Sequence, residues 1–230
     1  MTSRIYKLTF LILITFTVTN LSAQSYPEQK DIADYDAFSI VYDIHVTTSK
    51  ENPGLEETYN GSTKTIMHQN GKTRIRLVSL MRIQNIYLFE EASALKKVIL
   101  TKESGKNLYK YVLTASEWKI YNTRYDNIKY TYYNDKLNIL GFECKKAALF
   151  INDGKQKIIV YYTESLKPFS KSIEPMFAGL PGLVLRYEIE SKNGSIRYIA
   201  NKINTEKLDN SIFSEPEKGF TVKKYKAYSR

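Results

Sequence analysis

The sequence predicts a mostly β protein: one large curved antiparallel sheet or open half-barrel, with at most short helices. Three observations carry this expectation. Apolar and polar residues alternate at period two through most of the chain. Turn signals recur at a spacing of roughly 8–14 residues, too short for βαβ crossovers. No apolar stripe at helical spacing extends over about ten residues or more.

The chain of 230 residues is long enough for one sizeable domain. Its 43% apolar and 25% charged residues exclude wholesale disorder, and its single cysteine excludes both an internal disulfide framework and a multi-cysteine zinc site. Residues Met1–Gln24 read as a secretory signal: Arg4 and Lys7 precede the apolar run Leu8–Val18, and Leu21-Ser22-Ala23 offers cleavage between Ala23 and Gln24. The run is too short to span a bilayer, which takes about 20 residues. No cysteine follows it, so lipoprotein anchoring is not expected, and no transmembrane anchor remains after processing. The expected product is a single domain, 24–230, exported to the periplasm or secreted. The net charge of +10 reads as a solvated basic surface, because acidic residues lie among the lysines throughout. Export argues against nucleic acid as partner.

The elements follow in order. Phe38–Val46 alternates cleanly, with Phe38, Ile40, Tyr42, Ile44 and Val46 on one face. Asn52-Pro53-Gly54 marks a loop. Thr63–Gln69 and Lys72–Met81 flank Asn70-Gly71, a pair that tolerates the positive φ of a type I′ hairpin turn. Ile83–Phe89, Leu95–Thr101 and Asn107–Leu113 are strands; the intervening Glu90–Ala94 is either a turn or a short helical piece. Lys119–Tyr121, Ile128–Tyr133 and Leu137–Leu140 read as further strands. After Gly141, Phe142–Ile151 turns through Asn152-Asp153-Gly154 into Lys157–Thr163. Lys145-Lys146 breaks the alternation and marks a candidate bulge. A loop containing Pro168 and Pro175 leads to Gly179-Leu180-Pro181-Gly182-Leu183-Val184. Pro181 sets φ and Gly182 accepts positive φ, which predicts a type II turn. That turn would deliver Leu183, Leu185 and Tyr187 to one face of the next strand. Asn193-Gly194 then makes a hairpin into Ile196–Ile203, and Asp209–Phe213 offers one helical turn.

Catalytic signatures are missing. There is no HExxH, GxSxG, GxGxxG or phosphate-cradling glycine loop. Cys144 lies on an apolar face, where a thiol packs as a small hydrophobe. His45 shares a strand face with Asp43 and Ser39, too few ligands for a metal site. His68 adjoins a turn, where exposure is expected. No cofactor and no metal is predicted. Tyr121, Tyr125, Tyr130, Tyr132 and Tyr133 cluster among basic residues. Tyr130 and Tyr132 share one face and form a candidate aromatic binding patch; the plain alternative is that tyrosine is a good strand former.

Three elements carry a family resemblance. The hexapeptide 179–184 reads GLPGLV. Upstream, Gly141-Phe142-Glu143-Cys144-Lys145-Lys146-Ala147 is a glycine–aromatic element with Cys144, Lys146 and Ala147. Between them stands Val160-Tyr161-Tyr162-Thr163. In this order they resemble the signature region of the GLPGLI family of exported Bacteroidetes proteins. Val184 replaces isoleucine, Tyr161 stands where tryptophan is usual, and Glu174 precedes Pro175 where glycine is common. The resemblance implies export and a strand-rich fold similar to the half-barrels of periplasmic lipoprotein carriers. It implies no catalytic residue.

Three functions are compatible with this reading. The first is a non-catalytic envelope protein binding an apolar or amphipathic ligand, such as a lipid or peptide, or a protein partner, on its curved sheet. The second is an adaptor docking onto an outer-membrane uptake complex. The third is a hydrolase built from convergent carboxylates.

Overall fold

The computed structural model describes residues 37–48, 59–151, 154, 156–166, 170–191 and 194–225. The segment read as a secretory signal, with Ala23 and Gln24, and Asn52-Pro53-Gly54, Asn152, Asp153, Pro168 and Asn193 lie outside the described residues. Among those described, no helix is long and apolar enough to cross a membrane.

Twelve strands form one sheet: β1 (Ala37–Thr48), β2 (Thr63–Gln69), β3 (Lys72–Ser79), β4 (Arg82–Glu91), β5 (Ala94–Ser104), β6 (Asn107–Thr114), β7 (Lys129–Ile139), β8 (Phe142–Ile151), β9 (Gln156–Thr163), β10 (Leu183–Ser191), β11 (Gly194–Asn204) and β12 (Thr221–Lys223). Their order across the sheet is β12-β6-β5-β4-β3-β2-β1-β11-β10-β9-β8-β7. Every pairing is antiparallel except β12 with β6, which is parallel. The sheet is therefore mixed at one edge and antiparallel elsewhere, and it is not closed. The hairpin turns follow their residues: Asn70 and Gly71 sit at φ 50° and 70°, and Leu140 and Gly141 at 54° and 85°. Glu90–Ala94 is a turn, with Ala92 and Ser93 both at positive φ.

Three expectations are corrected. Lys119–Tyr121 is not a strand but the end of helix α1 (Ala115–Tyr121). Thr114 caps it, its hydroxyl accepting from the Glu117 N–H while the Glu117 carboxylate accepts from the Thr114 N–H. This is a capping box, an S/T-x-x-E pattern that outweighs the strand preference of the tyrosine. Ile128–Tyr133 and Leu137–Leu140 are largely one strand, β7, whose register slips between Tyr132 and Lys136. The irregularity expected at Lys145-Lys146 thus falls on the facing strand, because β8 keeps an unbroken register with β9. In β10 the bulge lies between Val184 and Arg186. Leu183, Leu185 and Tyr187 are all buried, as expected of the inward residues of this strand, and Val184 is buried beside them at the bulge.

The sheet is strongly bent. Helix α1 packs on β5 and β6, and its Trp118 indole N–H donates to the Ser172 carbonyl at 3.4 Å. Seven residues later, Gly179 touches Tyr130 on β7. Nine strand-to-strand steps separate β5 from β7; in a flat sheet they would span about 43 Å at roughly 4.8 Å each. Seven residues reach about 24 Å at most. The sheet curls around the β9–β10 connection, which lies against its inner face.

The C-terminal segment crosses the outer face of the first half. Gln69 binds the Leu208 N–H and carbonyl, Arg74 donates to the Ile212 carbonyl, and Lys110 donates to the Pro216 carbonyl. Phe213, in the 3-10 turn Asn210–Phe213, is buried. The strap ends as β12 beside β6.

Candidate functional site

The inner face of β1 and β2 and the β9–β10 connection enclose an apolar cleft of about 340 Å³. Phe38, Ile40 and Ile66 line it from the sheet, and Ile173, Phe177 and Leu180 from the connection. These six are all buried, as period-two alternation requires of β1 and β2. Lys171, exposed, and Glu174 are its charged lining residues. Pro175 opens the 3-10 turn Pro175–Phe177, where its missing N–H costs nothing. Pro181, Gly182, Leu183 and Val184 complete the wall.

The hexapeptide does not contain the expected type II turn. Gly182 is absent from the glycines with positive φ. Glycine is needed there for close approach: a Cβ would lie 2.0 Å from the Thr163 carbonyl oxygen and 2.6 Å from its carbon. Here β10 starts pressed against the end of β9, and the Leu183 N–H donates to the Leu166 carbonyl at 2.8 Å. Gly179 is also closely approached, but by a side chain: its Cβ would fall 2.5 Å from the Tyr130 hydroxyl oxygen. The Gly179 backbone hydrogen-bonds that hydroxyl.

Tyr130 is therefore a brace under the connection. It stacks on Tyr132, with centroids 6.4 Å apart and planes at 16°. Only Tyr132 of the two is well exposed, at 54%.

The connection is held on its other side by an ion pair. The Lys64 ammonium, on β2, bonds the Glu174 carboxylate and donates to the Tyr187 hydroxyl at 3.1 Å. It also sits 5.3, 5.2 and 5.8 Å from the ring centroids of Tyr42, Tyr187 and Tyr198. Burial, the largest single influence, pushes the ammonium pKa down; the Glu174 carboxylate together with Tyr42 and Tyr198 more than offsets it and holds Lys64 above its ordinary value. Burial drives the Tyr42 and Tyr187 phenols well up, so both stay neutral. The Tyr42 hydroxyl donates to the Val184 carbonyl at 2.8 Å, fixing the end of the hexapeptide. Composition could not mark Lys64. The available signal was its position, on the inward face of β2 beside Ile66, where a long cationic side chain is out of pattern.

His68 is buried, not exposed as expected. It stacks on Phe38 at 5.6 Å, and its Nδ1 lies 2.8 Å from the Thr73 hydroxyl. Burial lowers its pKa to about 4, which keeps it neutral at ordinary pH. The adjacent turn is exposed, but β2 and β3 both continue inward from it. His45 is exposed on β1. Cys144 is buried, and burial raises its thiol to about 11, so it carries no thiolate for nucleophilic attack. Among the described residues no group of three or more His, Cys, Asp or Glu side chains could hold a metal.

The upstream motif divides between environments. Gly141 supplies positive φ at the β7–β8 turn. Phe142 and Cys144 join the larger apolar cluster, and Ala147 the second. Lys146 pairs across the strands with Tyr161, on the face away from Val160 and Tyr162.

No protein-family model matches the chain, and no curated protein matches it. Among solved structures, PNGF-II in two crystal forms is similar at 17% and 19% identity over 83% of this chain, with TM-scores of 0.44 and 0.45. The chain spans about a third of the PNGF-II length, 32% and 31%. The Mycobacterium tuberculosis lipoprotein LppX is 11% identical over 76% of this chain and 90% of its own, with a TM-score of 0.32. A β-barrel-like protein of a domain of unknown function from Brucella abortus is 13% identical over 76% and 99%, with a TM-score of 0.40.

Proposed function

We propose that this chain is an exported, non-catalytic envelope protein of the GLPGLI type that holds an apolar or amphipathic ligand in the cleft beneath its hexapeptide connection. The cleft carries the reading. Its volume of about 340 Å³ is at the small end of ligand pockets, which run about 300–1,000 Å³, and its wall is mainly apolar with few polar groups. The buried histidine and thiol supply no nucleophile–base pair. Native mass spectrometry of the protein purified from its host tests it. An apolar molecule should co-purify, and the Ala178→Phe variant, which fills the cleft from the connection side, should lose it. Trp118, the sole tryptophan, contacts the connection through Ser172, so its emission should shift when the cleft is occupied. An empty wild-type protein, or a ligand retained by the filled variant, overturns the reading.

One observation favours the adaptor reading. Leu80 and Met81, in the β3–β4 turn, are 85% and 68% exposed. A stoichiometric protein partner in the same spectra, lost on Leu80→Ser, would select it.

A further inference from the structure

Among the described residues, the C-terminal strap covers the outer face of β2–β6 and does not reach the outer face of β7–β10. A second cavity of about 340 Å³ lies there. Its principal walls are Tyr133, Lys146, Lys157, Tyr161 and Arg186, with Ile159 between them. Lys146 on β8, Tyr161 on β9 and Arg186 on β10 form one row of direct cross-strand partners. Tyr133 stands beside this row on β7, in the stretch where the register slips. Two of these residues, Lys146 and Tyr161, belong to the sequence motifs, yet neither contributes to the inner cleft.

The electrostatics of this row are unusual. Lys146 lies 5.3 Å from the Tyr133 ring centroid, and Arg186 lies 5.3 Å from that of Tyr161. A ring quadrupole positions a cation without neutralising it. The Glu188 carboxylate in the wall is already engaged by Arg197 at 2.8 and 3.1 Å and by the Ser195 hydroxyl at 2.7 Å. Those bonds, led by that of Arg197, hold its pKa below the ordinary value. Asp135 reaches only Lys146, at 3.4 Å. Lys157 and Arg186 form no salt bridge with a carboxylate among the described residues, although Arg186 lies near enough to Glu188 to help lower its pKa. With Arg197 and Asp135 included, four cations face two carboxylates around one depression.

We propose that this outer cavity is a binding site for an acidic saccharide. The cations meet the acid groups, and the tyrosine rings and Ile159 offer the flat, partly apolar surface that a sugar ring covers. A small inorganic anion would use only the cations.

Calorimetric titration of the purified protein with trigalacturonate tests this, with maltotriose and inorganic phosphate as comparison probes. Trigalacturonate should bind, more weakly as salt rises, with the other two at least tenfold weaker. Lys157→Gln and Arg186→Gln should each weaken binding several-fold, and together at least tenfold, with unchanged circular dichroism. Lys157 is the safer site should Arg186→Gln lower stability. The Ala178→Phe variant should bind trigalacturonate normally, which separates this site from the inner cleft. Three results overturn the proposal: no binding by the wild type, phosphate binding as tight as trigalacturonate, or affinity unchanged in Lys157→Gln.

Discussion

Replacing Gly182 separates two reasons for a glycine in the hexapeptide. A Cβ there would stand 2.0 Å from the Thr163 carbonyl oxygen and 3.0 Å from the Glu164 Cα. Both are backbone atoms, so no side-chain rotation relieves the overlap. The start of β10 must retreat by about 1 Å, since Cβ atoms essentially never come closer than 3.0 Å to another heavy atom. That retreat strains the Leu183 N–H bond to the Leu166 carbonyl and the Leu183–Thr163 pairing. Overpacking costs about 1–3 kcal/mol, and a buried backbone bond left unmade about 1–3 more. Gly182→Ala should therefore lose about 2–6 kcal/mol, or roughly 4–24 °C in Tm at about 2–4 °C per kcal/mol for a domain of this size. Scanning calorimetry reads this directly. Gly182→Asn is the decisive comparison, because asparagine tolerates positive φ but is bulkier than alanine. Steric exclusion predicts that it melts no higher than Gly182→Ala. At Gly141, with φ +85° and nothing within 4 Å of a Cβ, asparagine should instead be the better replacement. A Gly182→Asn protein more stable than Gly182→Ala would refute the close-approach account and restore the type II turn.

Lys64→Met leaves Glu174 largely desolvated without its cation, and should cost about 3–5 kcal/mol; adding Glu174→Leu should recover most of that, read as urea midpoints at constant slope. His68 has a folded pKa of about 4 against an ordinary value near 6.5, so protons favour the unfolded chain. Its stabilising contribution is whole above pH 6.5 and is lost as pH falls toward 4, by at most about 3 kcal/mol. His68→Gln should accordingly show a smaller loss over that window in urea titrations, and equal losses would remove His68 as the cause. Tyr130→Phe removes the hydroxyl that meets the Gly179 backbone and should cost about 1 kcal/mol, seen as a Tm lower by a few degrees.

Most strands were legible because each presents one apolar face, and Asn70-Gly71 and Gly141 announce their turns. Helix α1 was hidden by length: seven residues cannot display an apolar stripe, and only the Thr114–Glu117 spacing betrays it. The C-terminal strap was hidden because its anchors, Gln69 and Arg74, are polar residues whose partners lie far along the chain. The hexapeptide was visible as a motif while its physical reason was not. Pro-Gly specifies a turn locally, but the demand on Gly182 comes from Thr163, on a strand that no local pattern can place beside it. The ion pair of Lys64 with Glu174 escaped notice for the same reason, being 110 residues apart. The inner cleft is likewise a product of curvature, which period-two alternation permits but does not measure.

The β9–β10 connection touches β2 through Glu174 and β7 through Gly179, so it acts as a tie-rod fastened to opposite flanks of a trough. Its length sets the gauge of that trough. Under the proposed function, a ligand of matching girth would settle without disturbing either anchorage, whereas a thicker one would have to displace the Lys64–Glu174 pair or the Gly179 contact, so selection by thickness would follow from the tie itself.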